Sequence, residues 1–194
     1  MVQNMEILLK GEGYSKRHIF LTGPPRIGKT TVLLNAVDYL RARGVRVGGM
    51  ISQEIREGGV RVGFKIVDLG RGVEGILAHI NQKIGPSVGK YRVCVEDLEG
   101  VGVGAILSAC EYADLVVIDE VGPMELYSDA FKRAVLRALD SGRIVLGTIH
   151  YRVRSGFTDM IRKRGDVDII EVTYENRARL PREIANEILR RMGR

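Results

Sequence analysis

Short apolar runs alternate along this chain with stretches of helical spacing. Arg17-His18-Ile19-Phe20-Leu21-Thr22 reads as a buried strand, stopped by Gly23. Val32, Leu33, Ala36, Val37 and Leu40 then recur three and four residues apart, as one apolar helix face requires. The helix so predicted covers 30–43, and Gly44 supplies its C-terminal stop. A second strand is expected over 45–52. Residues 55–67 read as a hairpin turning at Glu57-Gly58-Gly59, with alternation through Val60, Val62 and Phe64. The Gly-rich stretch 70–89 follows no single period. Tyr91 to Val95 alternates like a strand, and helical spacing returns over 103–112.

The second half is more regular. Leu115-Val116-Val117-Ile118 is continuously apolar, as a parallel strand covered on both faces demands, and it ends in Asp119-Glu120. Ser128 is placed to cap a helix whose inward positions are Phe131, Val135, Leu136 and Leu139. Ile144-Val145-Leu146, ending at Thr148, and residues 167–172 read as further strands, with a short helix over 157–164. Pro181 opens a final helix reaching about Met192. The alternation predicts an α/β fold: a mostly parallel central sheet, helices on both faces, and an antiparallel hairpin addition. The chain reads as a single domain over 1–194, with 1–16 an N-terminal extension to which the pattern assigns no element.

Composition narrows this picture only modestly. At 194 residues, 45% hydrophobic and 28% charged, the chain can bury a core of ordinary size. Its two cysteines, Cys94 and Cys110, lack metal-ligand spacing and read as small buried hydrophobes in a reducing compartment. Neither a signal-type apolar segment nor a membrane-length apolar run is visible, so a cytoplasmic protein without a membrane partner is expected. The net charge of +6 admits anionic partners. Both signs are interspersed and no aromatic-rich RNA motif is present, so nucleic acid gains little support without being removed. A monomer is expected.

The motifs change the picture most. Gly23-Pro24-Pro25-Arg26-Ile27-Gly28-Lys29-Thr30 matches G-x-x-x-x-G-K-[ST] and stands between a predicted strand and a predicted helix. Such a loop wraps an anion with its backbone N–H groups, and the helix N-terminus adds a positive dipole end. Lys29 is placed to reach the β- and γ-phosphates, and the Thr30 hydroxyl to ligate Mg²⁺. Asp119, at the end of a core strand, is the expected second Mg²⁺ residue, held directly or through water. Glu120 beside it is placed to orient and deprotonate an attacking water.

Five stretches together resemble the thermophilic nucleoside-triphosphatase family, whose vertebrate members are called cancer-related nucleoside triphosphatase. They are 23–31 (ending Thr30-Thr31), 51–59 (Ile51-Ser52-Gln53-Glu54-Ile55-Arg56-Glu57-Gly58-Gly59), 62–67, 117–126 (with Asp119-Glu120-Val121-Gly122-Pro123-Met124-Glu125) and 172–177. The resemblance implies a RecA-like P-loop NTPase fold and Mg²⁺-dependent hydrolysis of ATP, GTP, CTP and UTP to NDP and phosphate, with little base selectivity. The nucleotide-binding set is then Gly23, Pro24, Pro25, Arg26, Ile27, Gly28, Lys29, Thr30, Thr31, Asp119, Glu120, Val121 and Gly122. Glu120 and Lys29 take the catalytic roles, Thr30 and Asp119 the metal. One departure stands out: the family usually has Gly where this chain has Arg26, and Arg enters positive-φ backbone less cheaply. Arg26 is either an arginine finger in cis or a solvated bystander.

Several residues keep two meanings. Glu54 and Arg56 either face the phosphates or pair with each other. Glu125 supports Mg²⁺ or water, or caps a helix. Thr148 senses phosphate or is a buried hydrogen-bonded Thr, and His150 positions water or lies on the surface. Arg152, Arg154, Arg162 and Arg164 form a lid or a solvated face. Asn176 and Arg177 follow the last strand, where a base would stack. Two other functional classes share these motifs: a nucleoside or nucleotide kinase with its acceptor in the hairpin region, and a RecA-like ATPase module working on nucleic acid. The adjacent Asp119-Glu120 pair favours water as acceptor, and no N-K-x-D motif for guanine is present.

Overall fold

The computed structural model describes residues 16–194; most of the N-terminal extension, residues 1–15, lies outside the described residues. In chain order the elements are β1 (His18–Thr22), α1 (Lys29–Arg41), β2 (Val47–Glu57), β3 (Val60–Asp68), β4 (Glu74–His79), β5 (Ser87–Val88) and β6 (Tyr91–Val93). A helical stretch follows, running through Val95–Asp97 and a π-helical segment Leu98–Val103 into α2 (Gly104–Tyr112). Then come β7 (Leu115–Val121), a single 3₁₀ turn Glu125–Tyr127, α3 (Asp129–Asp140), β8 (Ile144–Ile149), α4 (Gly156–Lys163), β9 (Val167–Glu171) and α5 (Leu180–Arg191).

The nine strands among the described residues form one sheet, in the order β5-β6-β4-β3-β2-β7-β8-β1-β9. From β2 to β9 the pairings are parallel; from β2 outward through β3, β4, β6 and β5 they are antiparallel. Alternating residues of the parallel strands feed two cores, one on each face. Ile19, Leu21, Val117 and Leu146 pack beneath α1 and α5, while Phe20, Val116, Ile118 and Val145 join the core with α2 and α3. Residues at those positions are almost wholly buried, which explains the continuous apolar runs.

Local chemistry fixes the ends. The Ser128 Oγ accepts from the Phe131 amide at 3.0 Å and starts α3 as expected. Ser155 and Thr158 form a capping box on α4, and Pro181 sits in the first turn of α5. Gly44, at φ 75°, closes the turn after α1. Two expectations change. The second strand does not end near residue 52; β2 continues from its parallel pairing with β7 straight into the hairpin with β3. The region 70–89, without a period in the sequence, contains β4 and β5, and the helix expected from 103 begins eight residues earlier, at Val95. Both candidate cysteines are free thiols, Cys110 buried and Cys94 partly so. Among the described residues no helix is long and apolar enough to cross a membrane.

Candidate functional site

The loop between β1 and α1 carries the first half of the site. Gly23 takes φ 144°, and a Cβ there would lie 2.8 Å from the Val172 carbonyl oxygen, so only glycine lets the loop start against β9. Gly28 takes φ 107° and forms the N-cap of α1 without a side-chain cap. The first-turn amides of α1 thus have no side-chain acceptor, and with the helix dipole they suit an anion. Arg26, at φ 66°, is the one non-glycine with positive φ among the described residues. That conformation costs about 1 kcal/mol in an L-residue. The Lys29 ammonium donates to the Gly23 carbonyl oxygen at 3.2 Å, lying across the loop it belongs to.

β7 brings the carboxylates. Its pairing with β8 shifts between Ile118 and Val121, so Asp119 and Glu120 leave the strand's regular alternation. The Thr30 hydroxyl donates to Asp119 Oδ2 at 2.9 Å and the Thr148 hydroxyl to Oδ1 at 2.5 Å. β8 stands between β1 and β7, and Thr148 is its contribution to the site. Asp119 is 1% exposed; burial raises its pKa, opposed by the bonds from Thr148 and Thr30 and by the Lys29 charge. Glu120 Oε1 is buried, with no hydrogen-bond partner among the described residues. Burial pushes the Glu120 carboxyl up to about 7, with Lys29 lowering it and Asp119 adding to the rise. Glu125, 4% exposed, accepts from the Gly122 amide at 3.1 Å. Burial first, and the neighbouring Glu120 second, push its carboxyl up to about 8.

These donors fit a hard divalent cation. Hydroxyl and carboxylate oxygens of Thr30, Asp119 and Thr148 converge within hydrogen-bond distance, and among the described residues no Lys or Arg pairs with the buried Asp119 carboxyl. No group of three or more His, Cys, Asp or Glu among the described residues is arranged to hold a metal by itself.

Loop and carboxylates open on one cleft of about 800 Å³. Gly23, Pro25, Arg26, Gly28, Lys29, Thr30 and Thr31 line one end of it, with Glu120, Glu125 and His150 beyond them. Ile27 and Val121 turn their side chains into the cores, and neither they nor Pro24, Asp119 and Gly122 are among the residues that line the cleft. The cleft continues into an arm made by Ser52 and Glu54 of β2, Arg61 and Phe64 of β3, and Leu77 of β4. Glu54 and Arg56 do pair, at 2.6 Å, and Arg61 joins them at 2.7 Å while lying 4.9 Å over the Phe64 ring. Arg61, Leu77 and Tyr151 were not distinguishable as site residues in the sequence. The two-residue alternation of the hairpin, which puts Ser52 and Glu54 on one face, was the available signal.

The remaining candidates fall into place. His150 is half-buried, its Nδ1 accepting from the Arg152 and Val153 amides at 3.3 and 3.1 Å. Its pKa is lowered by burial and then by Lys29, Arg162 and Arg152. Asn176 is spent on its own loop, accepting from the Thr173 amide and donating to the Glu171 carbonyl, both at 2.8 Å. Arg177 donates to the Ile27 carbonyl of the phosphate loop at 3.4 Å and stacks 4.7 Å over the exposed Tyr174 ring.

Comparison with known proteins agrees with this fold. A family model described as NTPase matches residues 18–185. The nucleoside-triphosphatase THEP1 of Thermofilum pendens is 56% identical over 173 residues, 89% of this chain and 95% of that protein. The crystal structure of THEP1 from Aquifex aeolicus superposes with a TM-score of 0.79 at 29% identity, covering 88% of this chain and 98% of that one. The solution structure of a human cancer-related nucleoside triphosphatase gives 0.74 at 38% identity, covering 88% and 96%.

Proposed function

Since the chain belongs to this NTPase family, we infer that it is a nucleoside-triphosphate phosphohydrolase that uses Mg²⁺ and accepts ATP, GTP, CTP and UTP with low selectivity. The observation that carries the reading is the buried, unpartnered Glu120 Oε1 on the wall of the cleft that Lys29 and the phosphate loop also line. Lys29 exchanges its bond to Gly23 for the β- and γ-phosphate oxygens, and the first-turn amides of α1 hold the rest of the triphosphate. Mg²⁺, when bound beside Thr30 and Asp119, supplies charge that neutralises the β- and γ-oxygens. Glu120 takes a proton from water as the water oxygen bonds to the γ-phosphorus; the bond to the β-bridging oxygen breaks and NDP leaves. A carboxyl raised to about 7 suits a general base at neutral pH.

Low selectivity is supported by the segment after β9, where this reading has the base stack. Tyr174 and Arg177 offer a flat stacking surface, which every base matches, while Asn176 has its polar groups engaged. The enzyme is taken to be a cytoplasmic monomer. Phosphate release from each of the four NTPs, with Mg²⁺ and with a chelator, tests the reading. Comparable kcat/KM values and loss of turnover on chelation support it; a preference beyond about a hundredfold for one base contradicts it. The arm of the cleft at Ser52, Arg61 and Phe64 favours one second reading, transfer to a bound hydroxyl acceptor instead of water. Release of phosphate without any added acceptor decides against that alternative.

A further inference from the structure

A second depression, about 500 Å³, lies beside the cleft at the same edge of the sheet. Thr22 and Glu171, at the ends of β1 and β9, form part of its wall; Arg152 and Arg154 come from the loop after β8, and Arg162 from α4. Tyr151 lines both the depression and the cleft. Among the described residues no carboxylate lies within the 4.0 Å ion-pair limit of any of these three guanidinium groups. Arg164, two residues past Arg162, shows the contrast: Asp140 and Asp166 hold it at 2.9 and 2.8 Å, turning it away from the sequence-expected basic stretch.

Arg162 is the most telling of the three. One of its terminal nitrogens donates to the His150 carbonyl at 2.8 Å, but its Nε is buried and has no partner among the described residues. A buried donor left without a partner is costly, and more so when it is charged. Arg154 donates only to carbonyls of its own loop, Tyr151 and Val153, at 3.2 and 3.4 Å. Burial and the Arg154 charge both lower the proton affinity of Arg162. Three guanidinium groups crowd this concavity against the single Glu171 carboxylate in its wall, and with the unpartnered Arg162 Nε they match a tetrahedral oxyanion, which guanidinium forks bind through paired N–H bonds.

We propose that Arg152, Arg154 and Arg162 form a second phosphate-binding site, separate from the Gly23–Thr30 loop. Its ligand is a phosphate group, carried either as free phosphate or within a single-stranded phosphodiester chain. The site stands on these residues alone and does not depend on hydrolysis in the neighbouring cleft.

The test uses the whole protein saturated with Mg²⁺ and a nonhydrolysable NTP, so that the phosphate loop is filled. Inorganic phosphate is then titrated by calorimetry, and a fluorescent single-stranded oligonucleotide by anisotropy. We expect binding of at least one probe, weakened about tenfold or more in R152Q/R154Q, with analogue affinity and melting temperature unchanged. R162Q, whose side chain also bonds the His150 carbonyl, repeats the loss from the helix side. If the oligonucleotide displaces phosphate, the phosphodiester chain is the source; if phosphate alone binds, free phosphate is. Either result supports the site. Failure of both probes to bind, or binding indifferent to the substitutions, overturns it. Because no turnover is measured, a protein that passes this test but releases no phosphate from NTP refutes only the hydrolase reading.

Discussion

Replacing Glu120 with Gln preserves the size of the side chain and removes the basic oxygen, so two effects of opposite sign are expected. A positioned general base contributes about 10² to 10⁴ in rate. kcat should fall by that factor, equivalent to about 3–5 kcal/mol of transition-state stabilisation. MgNTP affinity should stay within a few fold, because Lys29, Thr30 and Asp119 are untouched. Stability should move the other way. The folded carboxyl has a pKa of about 7 against an ordinary 4.5, so between those values the folded protein binds the extra proton. Ionisation therefore costs stability as pH rises through that window, at about 1.4 kcal/mol per unit. Partial solvent contact reduces the full sum, leaving E120Q about 2 kcal/mol more stable than wild type at pH 8, and near parity at pH 4. The assays are single-turnover phosphate release and urea unfolding at the two pH values. Wild-type turnover in E120Q would refute the base role. A loss of stability at high pH would refute the picture of a desolvated, unpartnered carboxylate.

Three further outcomes follow. K29A should lose detectable hydrolysis, since its ammonium is the charge aimed at the β- and γ-phosphates; normal turnover would move the phosphate site elsewhere. Arg26 is held in a conformation that favours glycine, and it lines the cleft. If the strain is kept for function, R26G should lower kcat by up to about a thousandfold while leaving NTP affinity intact, and unchanged kcat would make Arg26 a bystander. His18 is wholly buried, its Nδ1 accepting from the Val145 amide at 3.1 Å, and burial holds its pKa near 4 against 6.5. As pH falls from 6.5 to about 4, the unfolded chain takes a proton that the folded chain refuses. The stability present above that window should drop across it by about 3 kcal/mol. Urea unfolding at both ends should show a shallower loss in H18Q, and equal slopes would contradict the assignment.

The chemistry-bearing part of the sheet was legible because its signals are local. Gly23–Thr30 sits between a five-residue strand and a periodic helix, and Leu115–Ile118 announces a strand covered on both faces. Caps at Ser128 and Pro181 likewise depend on neighbours in sequence. The cleft's second arm was hidden because it is made by pairing across strands: Glu54 meets Phe64 only through the β2–β3 register, and Leu77 arrives with β4. β4 itself is anchored from afar, the Ile76 amide donating to Asp97 Oδ2 at 2.6 Å. The helical start at Val95 escaped notice because Gly100, Gly102 and Gly104 interrupt the 3.6-residue pattern. Gly102 has a packing reason, since a Cβ there would sit 3.2 Å from the Met50 sulfur. The separation of Arg164 from Arg152, Arg154 and Arg162 also depended on partners, Asp140 and Asp166, that spacing alone does not reveal.

The central claim is that water, activated in the cleft between Lys29 and Glu120, attacks the γ-phosphorus of a bound NTP. It is tested most directly by a single turnover of MgATP in ¹⁸O-enriched water, with no other acceptor present, followed by mass analysis of the phosphate formed. Wild type should release phosphate carrying one solvent oxygen, and K29A and E120Q should release almost none in the same time. Phosphate that forms only after a hydroxyl compound is added, or that forms at the same rate in all three proteins, would contradict the claim.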